Sequence, residues 1–532
     1  MDSWNLADAL DLIAELRVEH DAIIQGERRL SWREVERRAR NLGAWMLENG
    51  ASHQGKVAVY TYNHPAYMET VYAAMKAALV PVNVNYRYRA DELRYLLANS
   101  DAEFAVVHED FVPLLAEVRP DLPKLRGVLV VGDEVPPGAE SYEAVAETDR
   151  EAPAAPRSGG DLLFLYTGGT TGMPKGVMWR QHDLYDRLGG GLILPSPPDR
   201  EALRSFVTSR PAPLRLLAGP PLMHGTGWFT AMVAWLVGGA ILLLDNPKKF
   251  DPADLWRCVE RHRATALSIV GDSFASPMLQ ELRSGPRYDI SSLVMIASSG
   301  VIWSEETKRG LLEFNSNLAL VDVFSSSEAL GMGTSVTTSQ GGSQTARFQL
   351  SDVTRLFDEA LQPIETRPGA RGLVGVGGSQ PIGYYKDPEK TAQTFVEVGD
   401  QRFSVPGDWA EVNDDGLTLT LLGRGSVCII TGGEKVFPEE VEEALKLHPA
   451  VKDAVVVGVP DDKWGEAITA VVSSAGSDLD SAGLIAFVKQ RLAGYKAPKH
   501  VVTVDEVYRS PSGKADFRRT RQTALEALGL AG

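Results

Sequence analysis

The stretch DLLFLYTGGTTGMPKGVMW, residues 161–179, joins an apolar segment to a loop rich in glycine and hydroxyl residues. Its first part, DLLFLYT (161–167), is a continuous apolar run of the kind typical of strands covered on both faces of a sheet. In the loop, glycines let main-chain N–H groups converge on an anion, and a lysine adds positive charge. These groups suit a polyphosphate. The predicted ligands are Thr167, Gly168, Gly169, Thr170, Thr171, Gly172 and Lys175.

This loop differs from a Walker A phosphate loop. The Walker pattern needs Gly-Lys followed by Ser or Thr, whereas Pro174 precedes Lys175 and Gly176 follows it. Taken alone, the segment has an alternative interpretation as a flexible turn whose hydroxyl groups are incidental.

On both sides of the loop, short apolar runs alternate with helical patterns. This alternation is typical of parallel strands with crossover helices and predicts an α/β fold, with a large layered α/β N-terminal domain over residues 1–424. The near-apolar run 228–244 is broken by two glycines and predicts a buried helix followed by a buried strand. Residues 136–160 predict a surface connection. The expected strands are 56–62, 104–108, 127–132, 161–167, 240–244, 264–270, 293–298 and 319–324, and the expected helices include 66–79 and 251–263.

The texture of the sequence changes after Leu422. PEEVEEALKLHP (438–449) opens with proline and acids and predicts a helix, and DAVVVGVP (453–460) and AITAVVSS (467–474) predict strands. We therefore expect a small mobile α+β C-terminal domain over residues 425–532. The Gly423–Ser426 segment would be its linker, with Ser426 as the hinge.

Charge and cysteine content exclude several classes of protein. With 54 Lys and Arg against 70 Asp and Glu, the net charge is −16, which argues against nonspecific binding to nucleic acid or an anionic membrane. The acidic N-terminal segment does not match a signal peptide, and no transmembrane segment is expected. Two cysteines, Cys258 and Cys428, offer neither a disulfide framework nor a zinc site, so the cytoplasm is the expected compartment.

Six segments in order carry a resemblance to a known family. Besides the 166–176 loop, they are PLMHG (221–225), DVFSSSE (322–328), PGD (406–408), the Gly423-Arg424 junction with GGEKV (432–436), and SPSGK (510–514). Each is weak alone, but together they resemble the adenylate-forming superfamily of acyl-CoA synthetases, peptide-synthetase adenylation domains and luciferases. The sequences GGEKVFPEEVEE and YTGGTTGMPKGVMW are most similar to those of the fatty acyl-CoA synthetases of actinobacterial type.

The resemblance implies a two-step reaction. A carboxylate attacks the α-phosphate of ATP to give an acyl-adenylate and pyrophosphate, and the thiol of coenzyme A then displaces AMP. It implies Lys514 as the cation beside the reacting phosphate, Glu328 as the ligand of Mg²⁺, and His224 near the acyl carboxylate. A fixed cation lowers the barrier because displacement at phosphorus concentrates charge on the equatorial oxygens.

The same resemblance assigns the remaining site residues. The nucleotide would contact Ser299, Gly300, Phe324, Ser325, Ser326 and Ser327, with its ribose hydroxyls held by Asp408 and Arg424. Coenzyme A would pass Gly432, Gly433 and Glu434, and the acyl chain would lie against Trp228, Phe229 and Ser298. Taken singly, these residues have ordinary alternatives, such as core packing for Phe324 and His224, a helix cap for Glu328 and a solvated loop charge for Lys514.

Four positions depart from the family pattern, which commonly has Ser or Thr at Gly168, Gly at Ser325, an acid at Leu373, and Asp or Lys at Ser426. The first two departures would weaken ATP binding more than they would impair the attack by coenzyme A. The main hypothesis is the full reaction on a medium-to-large hydrophobic acid, and a homodimer is the oligomeric state that the resemblance suggests. One alternative is a ligase that only forms the thioester from a supplied adenylate, such as that of a terpenoid or steroid acid. The second is a non-catalytic ligand-binding relative.

Overall fold

The alternating apolar runs fold as parallel strands in a computed structural model of the chain. It describes residues 4–152, 155–167, 173–191, 194–210, 213–301, 303–342, 345–424, 427–431, 434–461, 464–476, 479–492, 494–510 and 513–530. Two compact units emerge, one made of Met1–Thr345 with Val376–Ser404 and the other of Ala346–Gly375 with Val405–Gly532. The predicted domain boundary at residue 424 separates a large domain from a mobile one. Because it concerns independent motion, it stays a prediction.

The helices of the described residues, in chain order, are Leu6–Leu16 (α1), Trp32–Glu48 (α2), Pro65–Lys76 (α3), Ala90–Ser100 (α4), Val112–Val118 (α5), Tyr142–Ala146 (α6), Gln181–Leu188 (α7), Arg200–Thr208 (α8), Gly225–Leu236 (α9), Pro252–His262 (α10), Gly271–Ser284 (α11), Glu305–Phe314 (α12), Pro388–Thr394 (α13), Pro438–Lys446 (α14), Ser481–Lys489 (α15) and Phe517–Ala527 (α16).

The strands of the first half are Asp21–Gln25 (β1), Arg28–Ser31 (β2), Lys56–Tyr60 (β3), Val80–Asn83 (β4), Ala102–His108 (β5), Gly127–Val131 (β6), Glu140–Ser141 (β7), Leu162–Thr167 (β8), Lys175–Arg180 (β9), Arg215–Ala218 (β10), Ala240–Leu243 (β11), Ala266–Ile269 (β12), Met295–Ser299 (β13), Ala319–Phe324 (β14), Gly333–Thr338 (β15) and Gly341–Gly342 (β16).

The later strands are Arg347–Leu350 (β17), Thr354–Phe357 (β18), Pro363–Ile364 (β19), Arg371–Val376 (β20), Gly383–Tyr384 (β21), Phe395–Val398 (β22), Gln401–Ser404 (β23), Asp408–Val412 (β24), Thr418–Arg424 (β25), Ile429–Thr431 (β26), Glu434–Val436 (β27), Val451–Asp461 (β28), Gly465–Ser474 (β29) and His500–Val504 (β30).

The larger unit contains two sheets whose central strands are parallel. In one, the order is β21-β9-β8-β4-β3-β5-β6-β7, with β9 and β21 added antiparallel at one edge. In the other, β1, β11, β10, β12, β13 and β14 are parallel neighbours, and β15 pairs antiparallel with β14. The α/β class that the alternation predicts is confirmed.

One apolar core joins these two sheets. Residues of α1, α2, α3 and α9 pack in it with the inner faces of β3, β8, β10 and β11. The run 228–244 folds as predicted, with most of α9 and all of β11 buried. The helical part of this run is apolar on all of its faces because α9 is covered on every side.

Two expectations for the larger unit need correction. Residues 136–160 are not a mere surface connection, because they include β7 and α6, and Tyr142 is fully buried with its hydroxyl donating to Glu69 at 2.7 Å. The predicted helix 66–79 ends at Lys76, and a turn at residues 77–79 leads into the buried strand β4. Residues 77–79 are apolar and buried, so the hydrophobic pattern alone does not show that the helix has already ended.

The smaller unit includes antiparallel strands before residue 424 and a separate five-stranded sheet after it. Strands β20, β24 and β25 pair antiparallel, and β17 pairs with β25. In the later sheet the order is β27-β26-β29-β28, with β30 parallel to β29. Helix α14 begins at Pro438, as the sequence predicts, and its apolar face joins a core with β28 and β29.

Within the described ranges, no helix is both long enough and apolar enough to cross a bilayer.

Candidate active site

The loop at 168–172 belongs to an antiparallel hairpin. Strands β8 and β9 run in register from Leu162↔Arg180 to Thr167↔Lys175, so these last two residues form the final pair before the loop. Gly168, Gly169, Thr170, Thr171 and Gly172 lie outside the described residues. The structure therefore places both ends of the predicted phosphate loop, with Lys175 at the start of β9.

Lys175 forms an ion pair with Asp387. Asp387 is also the N-cap of α13, where its side chain accepts a 2.9 Å hydrogen bond from the Lys390 main-chain N–H. The hydrogen bond from Lys175 lowers the pKa of the Asp387 carboxyl. The Asp387 carboxylate thus has two partners, the Lys390 N–H and the Lys175 ammonium group. The helix N-terminus fixes the carboxylate, and the carboxylate in turn holds Lys175.

Glu328 reaches the same hairpin through Tyr384. The Tyr384 hydroxyl donates a 2.9 Å hydrogen bond to Glu328 Oε1, and the ring of Tyr384 lies 6.0 Å from Lys175 Nζ. Tyr384 is on β21, which pairs with β9 through Tyr384↔Val177. Trp179 of β9 donates from Nε1 to the Ser327 carbonyl at 3.1 Å. The predicted metal ligand and the predicted phosphate-loop lysine are therefore brought together.

The serines that precede Glu328 shape a tight turn. Ser325 Oγ accepts a 3.0 Å hydrogen bond from the Gly331 N–H. Ser326 exchanges main-chain hydrogen bonds with Ala329, and its hydroxyl accepts from the Ala329 N–H at 3.1 Å. Serine hydroxyls commonly satisfy main-chain donors in this way. The side chain at position 325, where the family has glycine, is thus held within its own turn.

His224 lies at the N-cap position of α9, on a loop that two buried asparagines hold. Asn63 donates to the Pro220 carbonyl at 3.0 Å and accepts from the Leu222 N–H at 2.7 Å. Asn83, at the end of β4, donates to the Met223 carbonyl at 2.7 Å and exchanges hydrogen bonds with the main chain of Tyr166. The same side chain therefore ties the His224 loop to the end of β8.

Gly225 lets the His224 loop approach the hairpin and the serine turn. A Cβ atom at this position would lie 3.1 Å from Leu165 Cδ2 on β8 and 3.9 Å from Ser327 Oγ. The first of these distances is tighter than most carbon contacts allow, and glycine avoids it. His224 is thus near both the phosphate-loop hairpin and the Glu328 turn.

Ser298, Ser299 and Phe324 lie at the carboxyl ends of neighbouring parallel strands. Ser298 pairs with Asp322 and Ser299 with Val323 across β13 and β14, and Phe324 ends β14. In open α/β sheets, ligands bind outside the carboxyl ends of the strands. Asp322 is buried and paired with Lys308 at 2.6 Å, yet burial raises its pKa to about 6.

The three residues predicted to line an acyl pocket occupy core positions. Trp228 is fully buried and its ring makes an edge contact with Tyr67 at 5.9 Å, and Phe229 is also buried. Ser298 Oγ accepts a 2.9 Å hydrogen bond from the Gly271 N–H at the start of α11. Their role toward an acyl group stays a prediction.

Asp408 and Arg424, predicted to bind ribose, are cross-strand partners. They form the end pair of β24 and β25, and the Asp408 side chain is buried. The side chain of Arg424 lies outside the described part of the chain, as do Ser426, Gly432, Gly433 and the side chain of Glu434. The main chain of Glu434 pairs with Thr431 across β26 and β27.

Lys514 lies in a tight turn of the second unit. The Ser510 N–H donates to the Lys514 carbonyl at 2.7 Å, and Arg509 and Ala515 form an antiparallel bridge across the turn. The Lys514 side chain is exposed. The predicted catalytic lysine is thus presented outward at the end of a closed turn.

The groups around Glu328 fit a magnesium ion that a nucleotide carries. Mg²⁺ in phosphate-transfer sites is usually held by one or two carboxylates together with substrate phosphates and water. Glu328 is partly exposed and uses Oε1 for Tyr384. Among the described residues, no cluster of three or more His, Cys, Asp or Glu side chains could hold a metal by itself. Such a donor set suits a cation bound mainly by phosphate oxygens.

Sequence reasoning missed four residues of this site: Asn63, Asn83, Tyr384 and Asp387. Asp387-Pro388 is a helix-start signal that was available, since Asp favours the N-cap and proline the first helical position. Nothing local marks Tyr384, because its role depends on β21 joining β9. The two asparagines act only through loops that fold onto them from distant parts of the chain.

Comparison with known proteins gives matches over nearly the whole chain. Residues 11–385 match the family model for AMP-binding enzymes, and residues 440–514 match the model for the AMP-binding enzyme C-terminal domain. A medium/long-chain-fatty-acid–CoA/3-oxocholest-4-en-26-oate–CoA ligase of Mycobacterium tuberculosis is 38% identical over 97% of this chain and 96% of its own length. A 3-oxocholest-4-en-26-oate–CoA ligase of Rhodococcus rhodochrous is 37% identical over 98% and 96%.

Solved structures show the same fold. An anthranilate CoA ligase in complex with anthranoyl-AMP, 21% identical, superposes with a TM-score of 0.86 over 100% of this chain and 99% of its own. ATP-bound MatB from Rhodopseudomonas palustris, 25% identical, gives 0.81 over 97% and 99%. Family models that cover most of the chain agree with full-length relatives above 30% identity. The chain therefore belongs to the AMP-binding enzyme family, the adenylate-forming superfamily that its six motifs predict.

Proposed function

We propose that this protein is an acid–thiol ligase of the AMP-forming type, which converts a hydrophobic carboxylic acid to its coenzyme A thioester through an acyl-adenylate. One observation carries the proposal: Glu328, Tyr384 and Lys175 meet at the hairpin whose loop suits a polyphosphate. A nucleoside triphosphate with its metal carries negative phosphates and a positive ion. The ammonium group of Lys175 suits the phosphates, and the carboxylate of Glu328 suits the metal.

In the first step, the chain would bind ATP and hold the acid in line with its α-phosphorus. Lys175 would contact phosphate oxygens, and Glu328, oriented by Tyr384, would ligate Mg²⁺. The metal, when bound, neutralises phosphate charge. Lys514 would stabilise the equatorial oxygens as the carboxylate adds and pyrophosphate leaves. His224 would orient the carboxylate from the N-cap of α9.

In the second step, we propose that the C-terminal domain, residues 425–532, turns about Ser426. The segment Gly432, Gly433 and Glu434 would then admit the pantetheine arm, since two glycines leave room for it. The thiol adds to the acyl carbonyl and AMP leaves. Asp408 and Arg424 would hold the ribose through both steps, one as acceptor and one as donor.

The preferred acid is proposed from the relatives. Ligases named for medium- and long-chain fatty acids and for a cholestenoate are 37–38% identical to this chain over nearly its full length. Apolar acids gain roughly 0.8 kcal/mol for each buried methylene. We therefore expect activity on octanoate or palmitate, on a polycyclic acid, or on both, and little on acetate. A substrate panel of these four acids tests this, and a preference for acetate would contradict it.

Of the two catalytic hypotheses, we favour the full reaction over thioester formation alone. Ser325 was the departure expected to place a side chain against the nucleotide, but its hydroxyl is bonded to the Gly331 N–H within the turn. Of the other departures, Leu373 lies on β20, and Gly168 and Ser426 lie outside the described residues. The cytoplasm stays the predicted compartment, and a homodimer stays an expectation that sedimentation analysis would test.

A paired assay tests the proposed function. Purified protein with ATP, Mg²⁺ and palmitate should release pyrophosphate without coenzyme A, and a supplied palmitoyl-adenylate should give the thioester once coenzyme A is added. Thioester formation from the adenylate without any pyrophosphate release would establish the alternative. Absence of both activities across the substrate panel would point to a binding protein.

A further inference from the structure

The turn that presents Lys514 is closed by its own main chain. In addition to the Ser510–Lys514 hydrogen bond, the Gly513 N–H donates to the Ser510 carbonyl at 2.8 Å. Gly513 has φ +75°, a conformation that residues with a Cβ atom adopt only at a cost. The peptide that bears Lys514 therefore has one defined orientation relative to Arg509 and Ala515.

A bidentate ion pair fastens this turn to the sheet. Arg509 Nε and a terminal guanidinium nitrogen contact the two carboxylate oxygens of Asp453 at 2.6 and 2.8 Å. The other terminal nitrogen donates to the Gly513 carbonyl at 3.1 Å, one residue before Lys514. Asp453 belongs to β28, whose next residues are buried in the core. One guanidinium thus links the core strand to the peptide of the lysine.

Both side chains of the pair are largely covered, with 16% of Arg509 and 25% of Asp453 exposed. Burial opposes ionisation of Asp453, but the hydrogen bonds from Arg509 and the positive charges of Lys446 and Arg509 together lower the pKa of the carboxyl. Two parallel hydrogen bonds fix the plane of a guanidinium as well as its distance. A lysine, which is a single point charge on a flexible stem, would keep the attraction and lose that orientation.

We propose that Asp453 and Arg509 are positioning residues for Lys514, which set the direction in which its ammonium is presented during adenylation. This inference rests on the proposed function. Displacing a catalytic group by about 1 Å can cost on the order of 10²-fold in rate, because the aligned geometry supplies much of the rate gain. Thioester formation in the second step uses a different segment, so it should tolerate a misplaced Lys514 turn.

The experiment compares the two half-reactions in Arg509→Lys and Asp453→Asn. Adenylation is followed as acid-dependent exchange of pyrophosphate into ATP, and thioester formation as coenzyme A consumption from supplied palmitoyl-adenylate. We expect exchange to fall about 10- to 100-fold in both variants while thioester formation changes less than about twofold. Lys446→Ala is the matched control, since Lys446 contacts the same carboxylate at 3.5 Å from α14 and does not touch the turn. It should leave both half-reactions near the wild-type rates.

A loss shared equally by the two half-reactions, or no loss in either, would overturn the inference. If Asp453→Asn lowers the unfolding midpoint, Arg509→Lys carries the test, since it preserves the charge opposite Asp453. A failure of the proposed function is distinguishable, because the wild-type protein itself would then show no exchange.

Discussion

The hydroxyl of Tyr384 donates a 2.9 Å hydrogen bond to Glu328 Oε1 across 56 residues of sequence. This contact depends on β21 adding to β9 at the edge of one sheet, and on the serine turn after β14 in the other. It therefore joins elements of both sheets of the larger unit beside the β8–β9 hairpin. The position of Glu328, the proposed metal ligand, relative to Lys175 follows from this junction.

Replacing Tyr384 by phenylalanine should impair the use of Mg²⁺. The variant keeps the ring beside Lys175 and removes the hydrogen bond to a carboxylate, which is worth roughly 1.5 to 3 kcal/mol. We expect adenylation to slow by about 10-fold or more and to need a higher Mg²⁺ concentration for half-maximal rate. A magnesium titration of the exchange rate measures both effects.

The neighbouring Tyr385 provides the control for this prediction. Its hydroxyl donates to Asp101 at 2.8 Å, on the other side of the β21 segment. Tyr385→Phe loses an equivalent bond without touching Glu328 and should leave the magnesium dependence unchanged. Equal shifts in the two variants would mean that the hydrogen bond from Tyr384 to Glu328 has no specific effect on the use of Mg²⁺.

Asn83 should matter for both stability and activity. Asn83→Ala leaves the main-chain groups of Tyr166 and Met223 without their buried partner, at about 1 to 3 kcal/mol for each unsatisfied group. Because it also frees the His224 loop from β8, the remaining folded protein should adenylate more slowly. Urea unfolding and exchange rates at a temperature where the variant is folded separate these effects.

Asn85→Ala serves as the comparison for Asn83→Ala. Asn85 lies two residues further along, is partly exposed, and caps only the Arg87 N–H. Its removal should cost little stability and no activity. If the two alanine variants behave alike, the tie between β8 and the His224 loop is not the cause.

His64 predicts a pH dependence of stability. Burial, reinforced by nearby positive charge, lowers its pKa from 6.5 to about 4, and its Nδ1 accepts a hydrogen bond from the Ala66 N–H as the N-cap of α3. Below pH 6.5 the unfolded chain takes up a proton that the folded chain refuses until about pH 4, so stability falls over that window.

The test of this prediction is His64→Asn, which keeps a good N-cap residue and does not titrate. Between pH 6.5 and 4, the wild type should lose up to about 3 kcal/mol more unfolding free energy than the variant. Denaturant unfolding at several pH values gives this difference. Parallel pH profiles for the two proteins would contradict the assignment.

Ser325 provides a prediction about the departure from the family pattern. Because its hydroxyl is bonded to Gly331, Ser325→Gly should not increase the rate of adenylation, and it should cost about 1 kcal/mol of stability. A clear gain in adenylation would show instead that the serine obstructs the nucleotide.

The sequence predicted the class of the fold because parallel strands and crossover helices leave local patterns. The run 161–167 and the helix 252–262 could each be recognised from their own residues alone. The buried helix at Tyr142 could not, since its short apolar pattern becomes meaningful only beside Arg38 and Glu69. Period alone cannot identify elements that tertiary contacts stabilise.

For the candidate site, the sequence motifs identified the residues proposed to bind or react. They did not identify the residues that position those side chains. Glu328 and Lys175 stand in recognisable segments, whereas Tyr384 and Asn83 act through contacts that exist only after folding. Asp453 is equally silent in sequence, because its partner Arg509 is 56 residues away. Positioning residues are in general less visible than reactive ones, because their chemistry is ordinary.

Acid-dependent exchange of pyrophosphate into ATP, measured without coenzyme A in the wild type and in Lys514→Ala, tests the central claim most directly. The account predicts exchange by the wild type, a fall of about 10²- to 10³-fold in the variant, and thioester formation from supplied acyl-adenylate by both. Absence of exchange in the wild type, alongside rapid thioester formation, would contradict it.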